Sequence, residues 1–313
     1  MEQASVDYSV VIPVYNSERT IGDVVSRTEG VFKKLGYSYE ILLVDDCSKD
    51  RSWEILKKIH QNNPRIRIFH LIRNFGQHNA IICGFNNCQG KFIVTMDDDL
   101  QHPPEEILKL LSRIGEGFSV VYGQYPPENE NFVQNLLSRI YQKIIKKILD
   151  IPDSLFISSF VIYRSETVKN ITNIKSSYPF LPAMAIKSAP INKISNIAVE
   201  HHKRTVGSSN YGIIRYLKYS LNLLINYSSW PLFFVALMGS VISILSVCYG
   251  GWILFQKLLD PNYGIMGWNS LMVAVTFLGG AQLMAIGIIG EYLRRILAET
   301  SYGQQYVISE MES

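Results

Sequence analysis

Three consecutive aspartates, Asp97, Asp98 and Asp99, stand behind an apolar β-type run in the stretch FIVTMDDDLQHPPEEI, residues 92–107. Adjacent like charges repel, so such a cluster is either a solvated turn or a place where a cation, free or phosphate-bound, sits. A cap on the following helix accounts for one aspartate but hardly for three. Divalent cations are held by one or two carboxylates together with a substrate's own phosphates. The chemistry this suits is the departure of a diphosphate whose growing charge the cation offsets.

Three more apolar runs end on polar clusters: PVYN (13–16), VDDCSKD (44–50) and IRNFGQH (72–78). The elements that must position them alternate. The runs YSVVIPVY, YEILLVDD, IRIFHLI and KFIVTMDDD read as strands. Between and after them, TIGDVVSRTEGVFKKLG, RSWEILKKIHQNNP, NAIICGFNNCQG and PPEEILKLLSRIGEG read as helices, the first closed by Gly36 and the last opened by proline. Strands separated by helices predict a mostly parallel sheet covered on both faces, with ligands bound beyond the carboxyl ends of its strands. The four polar clusters lie at those ends.

The chain has 313 residues, room for one large α/β domain and something smaller. A net charge of +3 excludes a global nucleic-acid footprint. Residues 219–256 and 261–290 carry no Asp, Glu, Lys or Arg. Each window exceeds the roughly 20 apolar residues that a bilayer-spanning helix needs. The predicted spans are 231–255 and 268–290. Arg215 and Lys218 precede the first, Arg294 and Arg295 follow the second, and Trp230, Trp252 and Trp268 stand at the edges. Positive flanks place both termini on the cytoplasmic side and the short connector outside. No cleavable signal peptide opens the chain, and the four cysteines form no CxxC pair, so they are read as reduced thiols. Residues 132–149 and 211–230 are amphipathic and basic. In the first, Leu136, Leu137, Ile140, Ile144, Ile145 and Ile148 share one side, opposite Arg139, Lys143, Lys146 and Lys147. Next to spans, such helices suit the anionic lipid interface.

VIPVYN, VDDCSKD, RNFGQHNAI, DDDLQHPPEEI and the two C-terminal apolar segments together resemble family 2 glycosyltransferases. More closely, the chain resembles the branch that loads polyprenyl phosphate: dolichol-phosphate mannose synthases, bactoprenol glucosyltransferases and undecaprenyl-phosphate aminoarabinose-type transferases. The resemblance covers about residues 8–298. It implies a GT-A-like, Rossmann-like cytoplasmic domain over residues 1–210, a juxtamembrane helix over 211–230, two transmembrane helices and a cytoplasmic tail over 291–313. It further implies a divalent cation, Mg2+ or Mn2+, with Asp99 as the first metal ligand and Asp97 and Gln101 close by on metal, donor or acceptor. Asp98 takes the variable middle position of the DxD pattern on the donor side. Pro13, Tyr15, Val44 and Asp46 line the nucleoside pocket, with Asp46 accepting hydrogen bonds from the base, whereas Asp45 and Asp50 suit Asx-type turns. Arg73 meets the base or a phosphate, and Arg204 and Ser209 belong to a segment, EHHKRTVGSSNYG, that closes over the donor.

A sugar hydroxyl needs a carboxylate base, whereas a lipid phosphate is already anionic and needs none. The chain lacks both the Glu-Asp base pair of hydroxyl acceptors and the QxxRW motif of processive synthases. The expected reaction is therefore inverting transfer from a nucleotide-diphosphate sugar to undecaprenyl phosphate at the bacterial inner membrane, for cell-surface glycan or lipopolysaccharide synthesis. The alternatives are transfer to a hydroxyl of a lipid or glycan, and a degenerate, non-catalytic membrane anchor. The resemblance implies a homo-oligomer, a tetramer. Departures from the family pattern are Ser17 for a glutamate, Cys47 for a glycine, Asn210 for a lysine, SSFVIYR for an SGFR-like segment, and Gln124 and Val133 where arginines are frequent.

Overall fold

The computed structural model describes residues 6–125, 146–147, 151–152, 154–176, 179–200, 202, 230–259, 268–300 and 304–312. It divides into two compact units, residues 1–212 with 303–313, and residues 213–302.

The first unit is built on an eight-stranded sheet in the order β7-β5-β6-β4-β1-β2-β3-β8. The strands are β1 (Tyr8–Val14), β2 (Tyr39–Asp45), β3 (Ile66–Leu71), β4 (Phe92–Thr95), β5 (Val120–Gln124), β6 (Val161–Arg164), β7 (Ile194–Ala198) and β8 (Ile308–Glu312). The four expected strands β4-β1-β2-β3 run parallel at the centre. All seven residues of β2 and six of β1 are buried, as befits strands covered on both faces. β6 enters antiparallel between β4 and β5, and β8 closes the far edge antiparallel to β3.

The crossover helices are α1 (Ile21–Leu35), α2 (Ser52–Asn62), α3 (Gln77–Asn87) and α4 (Ile107–Gly115), followed by α5 (Ser165–Asn173) and α6 (Leu181–Ser188). In α1, Ile21, Val24, Val25, Thr28, Val31 and Phe32 recur at helical spacing and are buried. It ends at Gly36, whose φ of 68° is left-handed and whose N–H reaches the Phe32 carbonyl. The chain passes from β1 to β2 and β3 on one side, then crosses to β4 on the other. The topological switch point, where open α/β sheets take their ligands, thus falls between the carboxyl ends of β1 and β4.

The second unit comprises α7 (Trp230–Leu259) and α8 (Trp268–Thr300). Phe233, Ile244, Leu245, Trp252, Leu283 and Met284 are exposed on them. Counting described residues alone, no helix is long and apolar enough to cross a membrane.

Candidate active site

Each polar cluster flagged in the sequence caps a central strand, and hydrogen bonds tie the clusters to one another. Pro13, near the end of β1, is buried, and Tyr15, just after the strand, is exposed. Asn16 follows with a φ of 54°, a left-handed conformation that asparagine tolerates. Its side-chain oxygen accepts the Lys49 N–H at 2.7 Å, and its own N–H donates to Ser48 Oγ at 2.9 Å, so this turn is pinned to the one after β2.

At the end of β2, leading into that second turn, Val44 and Asp45 are fully buried. Asp45 Oδ2 lies 2.6 Å from His70 Nδ1 and accepts the Ser48 N–H, while Asp50 accepts the N–H groups of Ser52 and Glu18. The bonds from Ser48 and Ser52 are local turn contacts of the Asx kind, whereas those with His70 and Glu18 reach across the fold. Asp46 does something the sequence did not suggest. Its two oxygens receive the backbone N–H groups of Phe75 and Gly76, at 2.7 and 2.8 Å. Burial raises its carboxyl above the usual range, against the downward pull of those two bonds. Asp46 thereby holds the loop after β3, and its remaining lone pairs are what it has left for a base. Arg73 stands exposed in that loop, its guanidinium stacked 4.8 Å from the Phe75 ring centroid.

Beyond β4 the three aspartates diverge. Asp97 Oδ1 accepts from Gln77 Nε2, and its Oδ2 from Ser159 Oγ, each at 2.6 Å. His102 Nδ1 lies 3.9 Å from the same Oδ2, its ring stacked on Phe160. Asp99 Oδ1 accepts the N–H of Gln101 at 3.1 Å. Asp98 turns toward β1: its Oδ2 accepts the Tyr15 N–H at 3.0 Å and a hydrogen bond from Ser17 Oγ. Burial pushes the Asp98 carboxyl up to about 6, the bonds to Ser17 and Tyr15 oppose it, and the Asp97 and Asp99 charges add to it. Leu100 leaves this turn with a φ of 64°, a left-handed conformation costly for a leucine and of the sort found where a site imposes geometry.

The segment containing Glu200 and His202 is anchored here too. His202 N–H donates to the Gln101 carbonyl at 2.8 Å, and Glu200 N–H to Glu106 Oε2 at 2.9 Å. Arg204 and Ser209, together with Val133, Asn210 and the amphipathic segments apart from Lys146, Lys147 and Trp230, lie outside the described residues. Gln77 and Ser159, which orient Asp97, were not singled out beforehand. Gln77 stood within the quoted RNFGQHNAI stretch, and Ser159 within SSFVIYR.

Among the described residues no group of three or more His, Cys, Asp and Glu is arranged to enclose a metal. Asp97 and Asp99 both lie just beyond β4 at the switch point, and an open divalent-cation site of the kind that takes one or two carboxylates completes its shell from substrate phosphates and water.

A mixed sheet with parallel centre, acidic turns at the switch point and helices on both faces defines a GT-A-like α/β protein. The chain belongs to glycosyl transferase family 2, whose profile matches residues 9–172, and it is a glycosyltransferase. It is 32% identical over 305 residues to the undecaprenyl-phosphate 4-deoxy-4-formamido-L-arabinose transferase of Edwardsiella ictaluri, covering 97% of this chain and 93% of that one. It is 31% identical over 308 residues to the uncharacterized glycosyltransferase YkcC of Bacillus subtilis, covering 97% and 94%. In fold it matches glucosyl-3-phosphoglycerate synthase from Mycobacterium tuberculosis, in the complex with Mn2+, UDP-glucose and phosphoglyceric acid. That match has a TM-score of 0.51 and 16% identity, over 70% of this chain and 79% of that one.

Proposed function

We propose that this glycosyltransferase moves a sugar from a nucleoside diphosphate onto undecaprenyl or another polyprenyl phosphate, at a membrane. The observation that carries the reading is the extent of the likeness. The family profile ends at residue 172, whereas the match to the undecaprenyl-phosphate transferase runs over 97% of the chain and so takes in the long C-terminal helices.

In this reading Pro13, Tyr15, Val44 and Asp46 form the nucleoside side of the site, with Arg73 at its rim. Asp97 and Asp99 hold a divalent cation, Mg2+ or Mn2+, together with the donor diphosphate, and Gln101 stands beside them. When bound, the cation neutralises the charge that builds on the departing diphosphate. Gln77 and Ser159 keep Asp97 oriented while this happens. A phosphate oxygen of the lipid attacks the anomeric carbon as the bond to the diphosphate breaks, which inverts that carbon. The acceptor is already ionised at neutral pH, so no base need take a proton.

The two long helices fit the same reading. At about 1.5 Å per residue, 30 and 33 residues give rods of roughly 45 and 50 Å, longer than the roughly 30 Å hydrocarbon core. The complete sequence is uncharged over 219–256 and 261–290, and apolar side chains such as Phe233, Ile244, Leu283 and Met284 are exposed, as lipid contact requires. Residues 1–230 and 291–313 are then cytoplasmic.

The reaction is tested with purified full-length chain, a panel of nucleotide sugars, and undecaprenyl phosphate in liposomes. Transfer to the lipid phosphate is expected, together with a loss of about a hundredfold or more in Asp99→Asn and in excess EDTA. A wild type that glycosylates only hydroxyl acceptors refutes the acceptor; full activity without divalent cation refutes the metal. For topology, a single cysteine at Asn262 in a cysteine-free background is labelled from outside by an impermeant reagent, and one at Ser5 is not.

A further inference from the structure

We infer that Asp98 is a positioning residue that fastens the nucleoside loop after β1 to the metal loop after β4, so that nucleotide and divalent cation bind cooperatively. The inference rests on the donor-site reading above and assigns Asp98 a place in it that is neither metal ligand nor sugar contact. One carboxylate oxygen gathers the Tyr15 N–H and the Ser17 hydroxyl, across 83 and 81 residues of sequence. The tie is doubled through the backbone, since Thr20 Oγ1 donates to the Asp98 carbonyl at 2.6 Å. The Ser17 carbonyl in turn accepts the N–H groups of Thr20 and Ile21, both at 3.1 Å, at the start of α1. Tyr15, Ser17, Thr20 and Asp98 thus form one connected network bridging neighbouring parallel strands.

The assignment also accounts for one departure from the family pattern. The family pattern has a glutamate where this chain has Ser17, a side chain too short to reach far and without charge. Glu18 does not replace it, because its carboxylate accepts the Arg51 N–H at 3.1 Å at the beginning of α2. The carboxylate that serves the β1 loop comes from the opposite side, from Asp98 in the variable DxD position. With Asp98 turned inward, Asp97 and Asp99 are the two acidic groups left on the cation side. A chain that moves Tyr15 then moves the backbone between them, which is the physical basis for coupling the two ligands.

The test measures coupling rather than activity. UDP, GDP, ADP, CDP and dTDP are titrated by calorimetry into the full-length chain in detergent, with and without saturating Mn2+. The ratio of the two dissociation constants is read for the nucleotide that binds best. In the wild type Mn2+ tightens binding; in Asp98→Ala the ratio falls about tenfold or more toward one, the scale of a lost charge-assisted hydrogen bond. Asp98→Asn, whose side-chain oxygen still accepts from Tyr15 and Ser17, recovers most of the ratio, whereas a lost metal ligand would not be recovered this way. Ser17→Ala, which leaves the backbone tie in place and guards against an unfolded Asp98→Ala, gives an intermediate ratio. A wild-type ratio in Asp98→Ala or Ser17→Ala overturns the inference, as does equal weakening with and without Mn2+. If none of the five nucleotides binds the wild type, the donor-site reading fails and the latch falls with it.

Discussion

Cys47→Gly is expected to stabilise the protein, although it deletes a side chain from a turn of the candidate active site. Cys47 has a φ of 58°, in the left-handed region where the Cβ of an L-residue crowds the following carbonyl. The backbone is held there by its neighbours: Asp46 N–H donates to the Val14 carbonyl at 2.9 Å, and Ser48 N–H to Asp45 at 3.2 Å. An L side chain in this conformation costs ~1–2 kcal/mol. Glycine removes that strain but adds ~0.4–1 kcal/mol of chain entropy to the unfolded state. The thiol contributes little in return, its Sγ standing 3.9 Å from the Ile72 carbonyl oxygen. The balance is a gain of ~0.5–1 kcal/mol, which for a unit of this size raises Tm by about 1–4 °C. Cys47→Val must go the other way, because a β-branched residue is a poorer fit still at positive φ. The assay is a thermal melt of the full-length chain and both variants in the same detergent, followed by intrinsic fluorescence. A lower Tm for the glycine variant, or a valine variant as stable as wild type, refutes the argument that this turn imposes a glycine geometry.

Acid sensitivity should follow from His78, half-buried with its Nδ1 sealed from solvent and its ring against Phe180. Burial pushes it down to about 4, below its unfolded value, so its contribution is intact above about pH 6.5 and is lost as pH falls toward 4. The loss approaches ~3 kcal/mol, and His78→Gln should flatten the fall of urea midpoints between pH 6.5 and 4 by that much; parallel curves for the two proteins rule it out. Gly76→Ala should destabilise by ~1–3 kcal/mol through its backbone alone, since φ is 89° and no atom beyond its chain neighbours lies within 4 Å of the added Cβ; an unchanged denaturation midpoint contradicts this. Deleting residues 304–313 bares the β3 edge now paired with β8, and light scattering should show association of the truncated chain; a monodisperse species matching the full chain argues against it.

Much of the scaffold was legible in the residues. The β1, β2, β3 and β4 runs are short and β-branched, α1 has its apolar stripe and closing Gly36, and polar clusters end each strand. These are local signals, set by the periods of helix and strand and by turn chemistry. The resemblance to the family pattern marked Cys47 as sitting where glycine is usual, and the structure supplies the cause in its positive φ. What the three aspartates do was a different matter. Side chains leave a tight turn in directions fixed by its backbone, here one with Leu100 left-handed, and their partners Gln77, Ser159 and Ser17 lie 20, 62 and 81 residues away. Asp46, read as an acceptor for a base, also takes the Phe75 and Gly76 N–H groups, a contact no local pattern announces. β8 was invisible for a related reason. ISEME has two acids, Glu310 exposed and Glu312 half-buried, and little apolar pattern, and it is held by backbone hydrogen bonds to β3 and by polar contacts such as Trp53 with Glu310. Backbone groups are the same in every residue, so a strand recruited through them leaves no mark in the sequence until the edge it joins has been folded.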